Sequence, residues 1–293
     1  MAQQLGNNMK MKGEIPLEKP LVVTTQKKST DMKLRRMRPD YFLIPAVFVA
    51  FIVVWDLFIT FFDIRSVILP RPLAVWQNFI SGLNPESPLN YYAHILSTLY
   101  EVLSGYVIGA IVGIILALML SQIPLLERVF KPFIVAFQSI PKIAIAPLII
   151  IWFGFGAGSK IALVILIVFF PVLVNGLSGF KSVEPERLAV MRSLGASQWK
   201  IFSKLVLPGS LPFLFAGLEV ALVQAMTAAI VAEFLAGRQG LGVLIIQMEQ
   251  VLNTGGIFGV LTVLAILGWL LTMILNLIRK KLVFWSDAER SRK

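Results

Sequence analysis

Apolar and polar positions alternate along the chain in long blocks. Six apolar runs, at residues 41–62, 93–120, 130–153, 161–180, 211–232 and 257–278, are separated by shorter polar stretches. A bilayer core takes roughly 20 residues of helix at about 1.5 Å each. The runs therefore predict an all-α polytopic membrane protein with six transmembrane helices. The first run follows forty polar residues and is too long for the apolar region of a signal peptide, so it is expected to remain as a span. The third carries Pro132, Pro141 and Pro147. Prolines inside a span need neighbouring helices to satisfy the carbonyls they free, so this run is expected to pack within protein. The expected organisation is a basic, mostly disordered tail at 1–40, a six-span transmembrane domain at 41–280 and a short tail at 281–293.

Two shorter patterns lie between the runs. Val75, Trp76, Phe79, Ile80 and Leu83 recur at helical spacing after Leu69-Pro70-Arg71-Pro72. They predict a three-turn amphipathic helix, either at the membrane interface or packed beneath one face of the protein. In the charged stretch 181–207, Leu188, Met191 and Leu194, then Trp199, Phe202 and Leu205, each step by three. Gly195 divides the two sets. Glu184 and Glu186 suit the positive end of the first helix, Pro185 suits its first turn, and Pro208 is expected to close the second. The result is a pair of short helices joined by a glycine bend. It would either rest in the lipid interface or dock on a soluble partner.

Composition narrows the functions. The chain is 57% apolar and 15% charged, with mean hydropathy +0.80, against about 45–50% and about 25% in soluble domains. It has no cysteine and one histidine. That excludes a disulfide framework, a thiolate or histidine-rich metal site and a cysteine nucleophile. The net charge of +11 would suggest nucleic acid on a soluble protein. Here its placement gives another reading. With the N-terminus inside, 22 Lys and Arg fall on the inner side and four on the outer, including a juxtamembrane cluster of Lys33, Arg35, Arg36 and Arg38. The positive-inside rule then puts both termini in the cytoplasm. The charge orients the chain and meets anionic lipid, and no nucleic-acid partner is expected. The run Gly154-Phe-Gly-Ala-Gly-Ser-Lys160 has the wrong order for a phosphate loop, and it falls in a short outer turn. No nucleotide site is expected in this chain.

The stretch from Leu188 through Gly195 to Leu205-Val-Leu-Pro208 resembles the signature loop of ABC importer permeases in its glycine and its Leu-Pro close. It departs from the family's Glu-Ala-Ala triplet, which reads Ala189-Val190-Met191 here; Glu184 and Glu186 lie just upstream. Pro141-Lys-Ile-Ala-Ile-Ala-Pro-Leu148, Ile151-Trp-Phe-Gly-Phe-Gly156, Ser159-Lys160, Phe169-Phe-Pro-Val-Leu-Val-Asn175, Val231-Ala-Glu233 and Gly240-Leu-Gly242 are similar to the nitrate, sulfonate, taurine and bicarbonate branch. The resemblance runs from about Leu69 to Trp285. It implies a type I importer permease in a bacterial inner membrane, with no catalysis of its own. It further implies a second permease subunit, as a homodimer, two cytoplasmic ATPase subunits that bind ATP and magnesium, and an extracytoplasmic binding protein that delivers the solute. The residues it assigns to ATPase coupling are Glu184, Glu186, Arg187, Leu188, Ala189, Met191, Arg192, Leu194, Gly195, Ala196 and Ser197.

Ionisable residues within spans are costly and are functional candidates by default. Asp56, Glu101, Lys142 and Glu219 fall there, with Glu233 and His94 nearer the ends. The resembled branch usually has arginine where Glu101 and Glu219 stand, and often tryptophan where Met226 stands. Glu101, Glu219, Met226 and Glu233 are accordingly expected on the translocation path. Free carboxylates there would disfavour small anions; pairing with Lys142 or with neighbouring helices is the alternative. A stand-alone secondary transporter would need paired broken helices in inverted repeats, and no internal repeat is found. An intramembrane hydrolase lacks a nucleophile–base pair. Co-purification of an ATPase separates the first reading from both.

Overall fold

The computed structural model describes residues 40–87 and 89–285, with side chains from residue 43. The expected basic tail before Asp40 and residues 286–293 of the C-terminal tail lie outside the described residues. The chain divides into two units, 1–48 and 49–293, the division falling within the first helix. The described part of the first unit is the opening of that helix, with side chains 43–48 all exposed.

All regular structure among the described residues is helical. The eleven helices are α1 (Asp40–Phe61), α2 (Pro72–Gly82), α3 (Tyr91–Gln122), α4 (Pro124–Ser139), α5 (Ala146–Phe153), α6 (Ala157–Phe180), α7 (Pro185–Ser193), α8 (Gln198–Ile201), α9 (Leu207–Ala236), α10 (Leu241–Gln250) and α11 (Thr254–Leu282). Five continuous helices are long and apolar enough to span a membrane, and α4 with the segment Lys142–Phe153, bent by 85°, passes the same test as a pair, as a broken sixth span or a re-entrant loop. The expected third span is thus broken. Pro141 and Pro147 are the cause: a short 3-10 turn, Lys142–Ile145, links the halves, because proline cannot donate to the preceding turn.

The core of the second unit is a three-helix layer in which α6 lies between α3 and α9. Lipid tails give no hydrophobic drive between helices, so close approach through small residues must hold the layer together. On α3, Gly105, Gly109 and Gly113 recur every fourth residue and receive Val164, Val168 and Val172 of α6. A Cβ on Gly109 would lie 2.9 Å from the Ile165 carbonyl oxygen. On α9, Ala221, Ala225, Ala228, Ala229 and Ala232 are buried with Ala146 and Ile149 of α5.

Two elements differ from the sequence expectation. The second helix of the charged stretch does not stop at Pro208. Residues 198–236 form one rod through a π turn at Phe202–Val206, in which the Leu207 N–H donates to the Phe202 carbonyl. The wide turn takes up the register that Pro208, with no N–H, cannot hold. The polar stretch after the fifth span folds into α10, whose Leu241, Leu244 and Ile245 are buried beside Val260 and Val263 of α11. Their spacing of three and four was the available signal. The amphipathic helix α2 forms as expected and packs against α11. Asn78 of α2 pairs with Asn253, and Trp76 stays largely exposed, stacked on Phe79.

Candidate coupling loop and translocation site

The helix pair at 184–207 is built from local chemistry. Glu184 precedes the first turn of α7 and its carboxylate accepts from Arg187 Nε at 2.7 Å, three residues on. The helix ends in a Schellman motif. The Ala196 N–H donates to the Met191 carbonyl at 3.0 Å and the Gly195 N–H to the Arg192 carbonyl at 2.9 Å. Gly195 has φ +71°, and no atom lies within 4 Å of where its Cβ would sit. Its glycine is therefore needed for backbone conformation, not for space within this chain. Ser197 then caps α8, its Oγ accepting from the Lys200 N–H at 3.4 Å.

No residue of α7 is buried. The face turned to solvent differs in part from the one expected: Leu188 and Met191 are half-buried, while Val190, Leu194 and Trp199 are 57%, 76% and 74% exposed. Behind the pair lies a cavity of about 530 Å³ lined by Ser121, Gln122, Leu188, Arg192, Trp199 and Phe202. Glu186, Arg187, Ala189, Arg192 and Ala196 to Ser197 all lie on this exposed or half-exposed loop. Lys181, just before it, binds both oxygens of Glu127 on α4 at 2.7 Å.

The intramembrane carboxylates are held differently from the expectation. Glu101 of α3 is 1% exposed and forms an ion pair with Lys160 of α6, which is 4% exposed. Lys160 thus belongs to the buried interior and not to an exposed outer turn. Glu233 of α9, also 1% exposed, accepts from Thr98 Oγ1 at 2.6 Å and from the Gly242 N–H at 2.5 Å. Thr98 Oγ1 accepts in turn from the Leu241 N–H at 2.9 Å. Lys160 Nζ donates to the Gln239 carbonyl at 3.3 Å, and His94 Nδ1 lies 2.7 Å from the Gly240 carbonyl. The cluster therefore pins the turn between α9 and α10 to α3 and α6. Glu101 and Glu233 are thus both buried inside the subunit in this conformation.

Glu219 of α9 is partly exposed and accepts from Arg279 of α11 at 2.6 Å, beside a Tyr106 hydroxyl that donates to the Leu218 carbonyl. Pairing is thus with Lys160 and Arg279, and Lys142 takes no part. Of the two expectations for Glu101 and Glu219, this geometry supports pairing with neighbouring helices, because each faces a basic group that offsets its charge. Met226 is half-buried and lines a groove of about 620 Å³ between α9 and α11, apolar apart from Thr227 and Thr272. Among the described residues no cluster of three or more His, Cys, Asp or Glu could hold a metal ion.

Comparison with known proteins fits this architecture. Residues 109–285 match the family described as binding-protein-dependent transport system inner membrane component. The chain is 35% identical over 246 residues to the riboflavin transport system permease protein RibX of Chloroflexus aurantiacus, covering 83% of this chain and 89% of that one. It is 30% identical to the formylaminopyrimidine transport permease protein ThiX of Halalkalibacterium halodurans, over 75% of this chain and 86% of that one. It is 29% identical to the taurine transport system permease protein TauC of Escherichia coli, over 79% and 85%. The fold is similar to that of the MetNI methionine ABC transporter in an inward-facing form, with TM-score 0.53, 20% identity and coverage of 72% of this chain and 94% of that one. Five continuous apolar helices with a bent pair beside them, and a match over most of the chain, lead to one conclusion: the protein belongs to the binding-protein-dependent transport inner-membrane component family and is the membrane-spanning permease subunit of an ABC importer.

Proposed function

We propose that residues 184–197 are the mechanical input of this subunit, docking in a groove on a cytoplasmic ATPase that binds ATP and magnesium. The observation that carries the reading is α7 itself. A nine-residue helix with no buried side chain is marginal alone, and exposed Leu194 follows its last turn, with exposed Trp199 on α8 beyond the bend. Because α8 runs through the π turn into α9, a push on the loop would move a helix that reaches across the membrane. The remaining parts of the reading are a second copy of this chain across the path, both termini in the cytoplasm, a tail at 1–40 and a binding protein on the outer face. Met226 and Glu219 are half-buried and remain candidates for the path. Glu101 and Glu233 act on it through the α9–α10 turn. The solute is a small organic or inorganic molecule delivered by that binding protein.

The test is detergent pull-down of the assembled transporter. Met191→Asp with Leu194→Asp should release the ATPase subunit while leaving the permease folded. Full retention of the ATPase, with transport-coupled hydrolysis intact, would overturn the coupling assignment.

A further inference from the structure

Lys142 stands apart from the other charges in the spans. It opens the 3-10 turn at the break between α4 and α5, so it sits at the middle of the third crossing. Its Nζ lies 5.1 Å from the ring centroid of Phe170, the fourteenth residue of the 24-residue α6, which puts the ammonium near mid-depth. The side chain is only half-buried, and Ile140 and Ile143 on either side of the break are exposed. Among the described residues no carboxylate comes within ion-pair distance of it; the four ion pairs use Lys160, Lys181, Arg187 and Arg279. The aromatic ring steadies the ammonium without neutralising it. Facing lipid, such a charge would be expensive at this depth.

A second polar group sits on an exposed face at similar depth. Gln224, near the middle of α9, is exposed and makes no side-chain hydrogen bond among the described residues. It adjoins Ala225, which is buried with Ala146 and Ile149 of α5 just beyond the break. An unpaired amide is also costly against acyl chains, though less so than an ammonium. Both groups are accounted for if the exposed surfaces they sit on meet water. Broken spans are also where transporters place irregular backbone beside a cavity.

We propose that Lys142 is the path's solute-facing charge, and that it selects for a solute presenting a negatively polarised oxygen, an oxyanion most strongly. This rests on the permease reading and reverses the preference that free carboxylates would have set. Glu101 and Glu219 have basic partners and Glu233 is buried on hydrogen-bond donors, so at the break Lys142 is the charge that no carboxylate meets.

The absence of native cysteine makes the test direct. In the assembled transporter in membrane vesicles, Lys142→Cys should react with both a sulfonate-bearing and a trimethylammonium-bearing methanethiosulfonate reagent. Gln224→Cys then serves as a reporter with Lys142 intact. Its rate ratio, sulfonate over ammonium reagent, should fall about tenfold in Lys142→Gln and further in Lys142→Glu, and hold in Lys142→Arg. Lack of reaction at position 142 from either side, at rest and during ATP turnover, overturns the assignment. So does a Gln224→Cys ratio that ignores the charge at 142. ATPase co-purification, scored in the same vesicles, reports separately on the permease reading.

Discussion

Glu101, Glu233 and Lys160 place two carboxylates and one ammonium in the interior between α3, α6 and α9. Lys160 lies within electrostatic reach of both carboxylates, so the three positions are not equivalent. Glu101→Gln leaves one carboxylate beside one ammonium. Lys160→Met leaves two carboxylates with no counter-charge. Breaking a buried pair by removing one partner costs about 3–5 kcal/mol, and Lys160→Met is expected at that level with Glu101→Gln clearly below it. Thermal unfolding of the full chain in detergent checks the order, and equal losses would show that the charges are not shared in this way. Gly240 belongs to the same cluster. Its φ of +138° is a glycine conformation, and a Cβ there would run into the Glu233 carboxylate. The sequence showed the Gly240-Leu-Gly242 motif, but its reason is visible only where Glu233 receives the Gly242 N–H.

The proposed coupling loop shows how far a helix can be read from its own residues. The start of α7 at Pro185, its acidic first turn and its end at Gly195 follow from local rules, and the structure has them. The fate of Pro208 does not. A proline ends a helix when the chain can turn away, but here α9 is held against α6 by its alanine face, so the rod continues through a π turn. Gly195 tests the loop at this scale. A non-glycine residue in the left-handed region costs roughly 1–2 kcal/mol, less for asparagine. Gly195→Ala should therefore weaken ATPase retention in pull-down, and Gly195→Asn should retain more of it. Because no atom lies near the glycine, neither should lower the melting temperature of the isolated permease by much. Equal retention by both variants would remove the backbone from the account of docking.

For the whole molecule, the charge asymmetry and the fold make a joint statement about sidedness. Gly158, at the start of α6, is exposed and has open space around its Cα. Ser193, at the end of α7, is exposed at the opposite end of that rod. In this cysteine-free chain, Gly158→Cys should react with an impermeant thiol reagent when only the outer membrane is opened. Ser193→Cys should react only after the inner membrane is broken. The reverse pattern would invert the topology. Ser159 is unsuitable for this purpose, because the fold buries it to 1% exposure.

Hydropathy alone determined the approximate places of the five continuous spans, since the cost of unsatisfied backbone in lipid leaves a long apolar run few choices but helix. Residue types also determined the family resemblance and the position of the loop's glycine bend. Pairing was decided only by tertiary structure. Glu101 meets Lys160 from 59 residues away, and Glu219 meets Arg279 from 60. Which intramembrane charge remains uncompensated depends on how α3, α6, α9 and α11 are rotated against one another. That rotation is set by the fit of glycine and alanine faces to branched side chains. A linear pattern of apolar residues does not encode that fit, because nearly every position in a span is apolar.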